Sequence, residues 1–403
     1  MSERTGSGQT RRRLQGPSLW GVPAMRQLAA LTLLGFTSFF LTLASLPSWA
    51  VRGGTTAGSA GLVTAVMMTT TVLTQVAVPA LTTRLGMSAV LALGLLLLGA
   101  PTPLYLLSQE LAWLLAISAV RGCGFAVLTV LGAALAGRVA PPSRRGESVG
   151  VYGLAIAVPS LLAVPAGAAL TLSGRFGWVA LLAATPVLAL PVVRGLARAT
   201  ENGGSGPTVT SPGHSRAAIA AIAGPSIVLL AVTLAGSGLV TFLPIERPNG
   251  SLASGALLLF GLTSTVSRWR AGVLADRIGG RVLFPASLSV AAMGLGGIAV
   301  GLLSGPTELE IALVGIGAAV FGAGYGAVLS LSLLAAFGRA GRESTTIASA
   351  VWNASFDIGL GAGALGIGAV ASAGLGVPWT YVLCVLLIVL TIPLAVRAAP
   401  SGP

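Results

Sequence analysis

The chain has 403 residues, of which 54% are hydrophobic and only 8% are charged. Soluble globular domains carry about 25% charged residues, so this composition excludes an ordinary soluble protein. The net charge of +13 comes from arginines at the ends of apolar segments rather than in one patch or tail, which excludes a nucleic-acid-binding surface.

Apolar segments recur along the whole chain, each near or above the ~20 residues that a helix needs to cross a bilayer. We therefore predict an all-α membrane protein with twelve transmembrane helices in two six-helix bundles. The predicted spans are 27–47, 59–80, 88–107, 111–136, 148–172, 177–194, 217–240, 252–273, 282–303, 310–336, 345–372 and 377–396.

The polar segments divide the chain into the regions that surround these spans. Residues 1–26 are predicted to form a tail, 27–194 the first bundle, 195–216 a linker, 217–397 the second bundle and 398–403 a short C-terminal tail. The linker contains a Gly-Gly-Ser-Gly-Pro sequence, which is typical of flexible connections.

Arginines predict the orientation of the spans. Seventeen lie on the side of the N-terminus, and only Arg52, Arg175 and Arg247 lie in connections on the other side. We call the first side the arginine-rich side. The positive-inside rule places it, with both termini, in the cytoplasm. Arginine-only basic usage with abundant alanine and glycine suggests a GC-rich bacterial genome, so we expect the bacterial inner membrane.

The two predicted bundles resemble each other in sequence at three places, in the same order. An internal repeat of two six-span halves is typical of transporters whose halves rock around a central site. The matching segments are Arg84–Gly86 with Arg277–Gly279 (offset 193), Gly122–Phe125 with Gly322–Tyr325 (offset 200) and Arg145–Ser148 with Gly341–Ser344 (offset 196).

Residues Gly272–Arg281 read GVLADRIGGR and match the loop motif G-x-L-A-D-R-x-G-R-R of the major facilitator superfamily in all but one position. From 27 to 397 the chain resembles this family. The equivalent first-half loop keeps Arg84 but has Thr83 at the aspartate position. The glycine- and proline-rich segment Gly153–Gly167 is similar to the motif of the family's antiporters.

Asp357 is the only acidic residue deep in a predicted span. Because a charge at the bilayer centre costs about 2.5–3.5 kcal/mol on insertion scales, we predict that Asp357 binds and releases a proton. A structural ion pair is the alternative. Asn353 lies one turn away on the same face. Trp352 and Gln75 are further candidates for a substrate cavity, although such residues also pack membrane helices together.

Arg121 lies about ten residues into the fourth span and is therefore also near mid-depth. We predict that it binds an anionic group of the substrate or acts as an electrostatic partner of Asp357. The alternative is an arginine held by backbone carbonyls and hydroxyl groups between helices.

The family resemblance implies a gate on the arginine-rich side, in which the loop motif contacts the start of the fifth span. Such contacts form a two-state element that breaks as the gate opens. The alternative is that these charges only set the topology. The gate residues are predicted to be Asp276, Arg277, Gly279, Arg281, Arg145, Glu147 and Arg84.

Together these features predict a secondary transporter that moves small organic molecules by alternating access, with proton-coupled efflux as the leading function. A proton-coupled symporter that imports a metabolite is the first alternative, and a non-transporting receptor or scaffold is the second. The chain contains no lysine, so a P-loop that would use ATP is excluded.

An enzyme is not expected, because the spans contain no nucleophile with a base and no metal-ligand cluster. We expect no cofactor and no metal. The first span lacks an acidic residue, which family exporters of cations often have, so the expected substrate is neutral or anionic. The other expected partners are protons and the lipid bilayer, without nucleic acid, and the expected oligomeric state is a monomer.

Overall fold

A computed structural model describes residues 21–139, 144–201, 212–248, 250–340 and 345–399, and these residues form helices without a strand. Eleven continuous helical segments are long and apolar enough to cross a membrane. The last of them, Ile347–Ala398, contains two helices, because Gly374 has a φ of +109° and interrupts the helical path.

The described residues thus contain twelve membrane-length helices, which confirms the predicted fold class. We number them in chain order. They are α1 (Pro23–Arg52), α2 (Ala57–Leu85), α3 (Met87–Leu106), α4 (Leu111–Ala136), α5 (Arg145–Leu172), α6 (Phe176–Ala199), α7 (Pro212–Glu246), α8 (Gly250–Ile278), α9 (Gly280–Leu303), α10 (Glu308–Ala340), α11 (Thr345–Val370) and α12 (Gly376–Ala398).

Several helices extend beyond the predicted spans on the arginine-rich side, and α6 and α7 both enter the predicted linker. The end of α6 is amphipathic, because Val193 and Leu196 are buried whereas Arg194 and Arg198 are exposed. Such a helix continues after the apolar run has ended, since one of its faces still packs against the protein. The middle of the predicted linker lies outside the described residues.

The internal repeat is confirmed by the packing of equivalent glycines. A Cβ atom at Gly122 of α4 would collide with the Met67 carbonyl of α2, and one at Gly322 of α10 would collide with the Phe260 carbonyl of α8. The two contacted residues are again 193 positions apart. In each half, therefore, a glycine allows the fourth helix to approach the backbone of the second.

The turns after α2 and α8 repeat in the same way. Gly86 has φ +84° and ψ 152°, and Gly279 has φ +82° and ψ 142°. Glycine tolerates this positive φ without a steric penalty. The matched loop sequences therefore fold into matched turns.

The two bundles contact each other on the side of the molecule away from the arginine-rich side. Where α2 meets α11, a Cβ at Gly61 would overlap the Ala364 carbonyl, and one at Gly368 would lie 2.6 Å from the Gly58 carbonyl oxygen. Close backbone approach of this kind requires small residues. The α2–α11 interface is therefore tightly closed on this side.

The interface between α5 and α8 is looser on the same side. A Cβ at Gly250 would lie 3.5 Å from the Leu172 side chain, and one at Gly261 would lie 3.3 Å from Leu161. These distances correspond to ordinary or slightly tight van der Waals contact. The two bundles thus meet along both α2–α11 and α5–α8.

Toward the arginine-rich side the same helix faces separate. Pro79 lies one turn beyond Gln75 on α2, and Ala350 lies two turns before Asp357 on α11. Both residues are exposed, as are Leu154 of α5 and Arg268 of α8. We call the space between these parts of α2, α5, α8 and α11 the cleft. Among the residues that the structure describes, it is open on the arginine-rich side and closed on the other.

Candidate transport site

Asp357 and Gln75 form a hydrogen bond across the interface between the bundles. The Gln75 Nε2 of α2 donates to the Asp357 Oδ2 of α11 over 2.8 Å. The same nitrogen lies 3.3 Å from the Thr129 Oγ1 of α4, to which it also donates. Asp357 is only 4% exposed. One amide therefore connects the acid of the second bundle to two helices of the first.

The local sequence explains why Asp357 lies at this interface. Gly361, Ala364 and Gly368 follow it at helical spacing and form the face of α11 that contacts α2. A Cβ at Gly361 would lie 3.0 Å from the Met68 side chain of α2. Asp357 is thus the next position of this face toward the arginine-rich side, where the closed interface gives way to the cleft.

The remaining predicted cavity residues near Asp357 make other contacts. The Trp352 Nε1 donates to the Ser332 Oγ of α10 over 3.0 Å, and its ring stacks against Phe356 with centroids 6.0 Å apart. The Asn353 Nδ2 donates to the Ser349 carbonyl of its own helix over 2.8 Å. The substrate contacts of Trp352 and Asn353 stay predictions.

Arg121 is fully buried inside the first bundle, in a different place from Asp357. Its guanidinium donates to the Leu98 carbonyl at 3.0 Å, to the Thr42 Oγ1 at 3.0 Å and to the carbonyl and hydroxyl oxygens of Ser38 at 3.2 and 3.1 Å. It also lies over the Tyr105 ring, 5.7 Å from its centroid.

All three guanidinium nitrogens of Arg121 thus donate to hydroxyl or carbonyl oxygens. This arrangement matches the alternative prediction, in which such oxygens hold Arg121 between helices. Buried polar groups need such partners, and here spans one and three supply them. The structure does not bring Arg121 together with Asp357. A role in substrate binding stays a prediction for this residue.

The predicted gate is only partly visible. Arg84, Arg277 and Arg281 are exposed near the ends of their helices, and Gly279 forms the turn that follows α8. Within the described part of the chain, no ion pair involves these three arginines. The side chains of Asp276, Arg145 and Glu147 lie outside the described residues, so the gate stays a prediction.

Sequence reasoning missed Thr129 as a neighbour of Gln75, and it did not pair Gln75 with Asp357. Gln75 lies 54 positions before Thr129 and 282 positions before Asp357. Neither contact has a signature within a single helix. These three side chains come together because α2 packs against α4 within the first bundle and against α11 of the second.

A model of the Major Facilitator Superfamily matches residues 28–364. The chain belongs to this superfamily. It is therefore a membrane transporter rather than an enzyme, and it acts on small molecules. The family predicted from the GVLADRIGGR motif is confirmed.

Two solved structures have a similar fold. The chain is similar to two crystal structures of a bacterial homologue of the human lysosomal transporter Spinster, one inward-facing and unoccupied, the other inward-facing and occupied. The TM-scores are 0.71 and 0.74, the identity is 16% in both, and the alignments cover 95% of this chain and 96% and 97% of the other. A comparison with curated proteins found no match. At this identity the likeness concerns the fold alone.

Proposed function

We propose that this superfamily member exports small organic molecules across the bacterial inner membrane in exchange for protons, and that Asp357 carries the proton. One observation supports this most directly. The single acid deep in a span bonds, through Gln75, across the interface that must open and close during alternating access. A carboxyl group in that position can bind a proton, and its surroundings change when the interface opens or closes.

The physical basis of coupling is a difference in binding between two conformations. An ionised carboxylate is stabilised by the charge-assisted hydrogen bond from Gln75, and by water once α2 and α11 have separated around it. A protonated carboxyl tolerates a dry, closed interface better, because burying an uncompensated charge is costly. Protonation therefore shifts the equilibrium between the conformations, and a cargo that also binds one of them better becomes coupled to the proton.

Two sequence features support the proposed direction of transport. The arginine-rich side is assigned to the cytoplasm by the positive-inside rule, so the cleft is open inward. The glycine–proline segment of α5, with Pro159 and Pro165 inside the helix, resembles the motif of family antiporters. Each proton that enters supplies about 2.3 kcal/mol per 100 mV of membrane potential, which is enough to drive cargo outward against a gradient.

The test compares untargeted metabolite profiles, inside and outside, of cells that make the wild type, Asp357→Asn or no protein. Glu308→Gln is the matched control, because it removes an exposed acid far from the cleft. We expect one compound to be depleted inside and enriched outside with the wild type and the control. This gradient should fall at least about tenfold with Asp357→Asn, since a neutral side chain binds no proton.

The opposite gradient would establish import and contradict efflux. An equal gradient with wild type and Asp357→Asn would contradict proton transfer at Asp357. A profile that is the same with and without the protein, at matched expression, would favour a non-transporting receptor or scaffold.

A further inference from the structure

Arg268 lies on the face of α8 that points toward the first bundle. Gly250 and Gly261, which contact Leu172 and Leu161 of α5, precede it by eighteen and seven residues. These intervals correspond to five turns and about two turns of helix, so the three residues share one face. Arg268 is the member of this face nearest to the arginine-rich side.

At the level of Arg268, α5 no longer covers this face. Arg268 is exposed, and Leu154, which lies seven residues before Leu161 on α5, is exposed as well. The Ser330 Oγ of α10 donates to the Arg268 carbonyl over 2.7 Å and holds this part of α8 in place. The guanidinium of Arg268 therefore faces the cleft.

The depth of Arg268 equals that of the Asp357–Gln75 bridge. Arg268 and Gln75 each lie ten residues before the end of their helix, or about 15 Å at helical rise. They are also 193 positions apart, the offset that relates α2 to α8. Arg268 thus occupies, in the second bundle, the position that Gln75 occupies in the first.

Within the described part of the chain, no acidic side chain forms an ion pair with Arg268. Among the side chains that the structure describes, the ion pairs involve Arg247 with Glu246 and Glu310, far from the cleft. The other two arginines within the predicted spans do have partners. The nitrogens of Arg121 bond to oxygens, and the guanidinium of Arg270 lies over the Trp269 ring, 5.4 Å from the centroid. A guanidinium facing a cleft between apolar helices is a strong site for an anion.

We propose that Arg268 binds an anionic group of the cargo, a carboxylate or a phosphate, in the cleft. This assignment rests on the proposed function, because it makes the cleft the cargo site. It narrows the substrate class from neutral or anionic molecules to anionic ones. The planar guanidinium can donate two parallel hydrogen bonds to the two oxygens of such a group.

The test measures binding to the purified full-length protein in nanodiscs of zwitterionic phosphatidylcholine. The probes are benzoate and phenyl phosphate, with benzamide as the neutral counterpart of benzoate, and the readout is the midpoint of thermal unfolding. The variants are Arg268→Gln, Arg268→Lys and, as the matched control on the same helix, Arg270→Gln. A ligand that binds the folded state raises the midpoint in proportion to its occupancy.

We expect at least one of the two anions to raise the midpoint of the wild type and of Arg270→Gln, and benzamide to leave it unchanged. Arg268→Gln should bind that anion at least about tenfold more weakly, because a charge-assisted bond is lost. Arg268→Lys should be intermediate, since it keeps the charge without the planar fork. An equal response of wild type and Arg268→Gln, including no response in either, would overturn the proposal.

A second set of nanodiscs, which contain anionic phosphatidylglycerol, distinguishes a free anion from a lipid headgroup. If the probes still bind there, the assignment to cargo is supported. If the anionic lipid abolishes their effect, Arg268 holds a headgroup and the assignment to cargo is overturned. Because this experiment needs no transport, its failure is separate from a failure of proton-coupled export, which the metabolite profiles detect.

Discussion

The α2–α11 and α5–α8 interfaces are built from equivalent helices of the two repeats, yet they differ in where their charges lie. The α2–α11 interface has a polar bridge at mid-depth, from Gln75 to Asp357. At the corresponding depth the α5–α8 interface has an exposed cation, Arg268, and no acid from α5. The motif aspartate, Asp276, lies at the arginine-rich end of α8, and Thr83 takes its place on α2.

This difference indicates that the two halves share their backbone packing but differ in the polar and charged side chains that they place at the interfaces. Matched glycines fix how the helices pack in both halves, since a side chain there would collide with backbone, and the matched turns need glycine because their φ is positive. The residues between those positions are free to differ. We infer that the two interfaces have different roles. The α2–α11 interface binds the proton and provides the tight closure, and the α5–α8 interface provides the anion site and the gate.

The largest effect is expected from a substitution that adds bulk to the closed part of the α2–α11 interface. Gly61→Ala places a Cβ against the Ala364 carbonyl, which cannot move aside easily, whereas Gly261→Ala in α8 meets Leu161 at 3.3 Å. Overpacking of this kind costs about 1–3 kcal/mol, which corresponds to a shift of roughly 5- to 150-fold between conformations.

The measurement is the steady-state gradient of the exported compound in cells that make each glycine variant at equal level. Gly61→Ala should reduce it strongly and Gly261→Ala only slightly. Equal losses for the two variants would contradict the idea that α2–α11 provides the tighter closure.

A smaller effect is expected from removing the bridge itself. Gln75→Leu deletes the donor to Asp357, and a hydrogen bond to a charged group contributes about 1.5 kcal/mol or more, so transport should fall about tenfold. Thr129→Val is the control, because it removes only the 3.3 Å contact. It should change the initial rate of efflux less than about threefold. If both variants transport like the wild type, the bridge does not participate in coupling.

The smallest effect is expected at the arginine-rich end of α8. Asp276→Asn removes the acid of the predicted gate, and ion pairs near a water-exposed helix end contribute about 0.2–1 kcal/mol. Efflux should therefore fall at most about fivefold. Thr83→Asn, at the equivalent position of α2, should leave the rate unchanged. A similar response of the two variants would argue that Asp276 only helps to set topology.

The sequence alone determined the architecture and the family. Continuous apolar runs of about twenty residues form helices in a bilayer, because a helix bonds each backbone polar group within its own segment. The arginines, the three repeated segments and the GVLADRIGGR motif are also local in sequence. Asp357 was identifiable for the same reason, since a lone acid in an apolar run is conspicuous without any knowledge of its neighbours.

Only the tertiary structure decided which side chains act together. Arg121 and Asp357 both lie near mid-depth in the sequence reading, but Arg121 is enclosed by oxygens of the first bundle. Gln75 meets Asp357, and Arg268 faces the cleft. The physical reason is that helical periodicity fixes which residues share a face, whereas the packing of twelve helices fixes what that face meets.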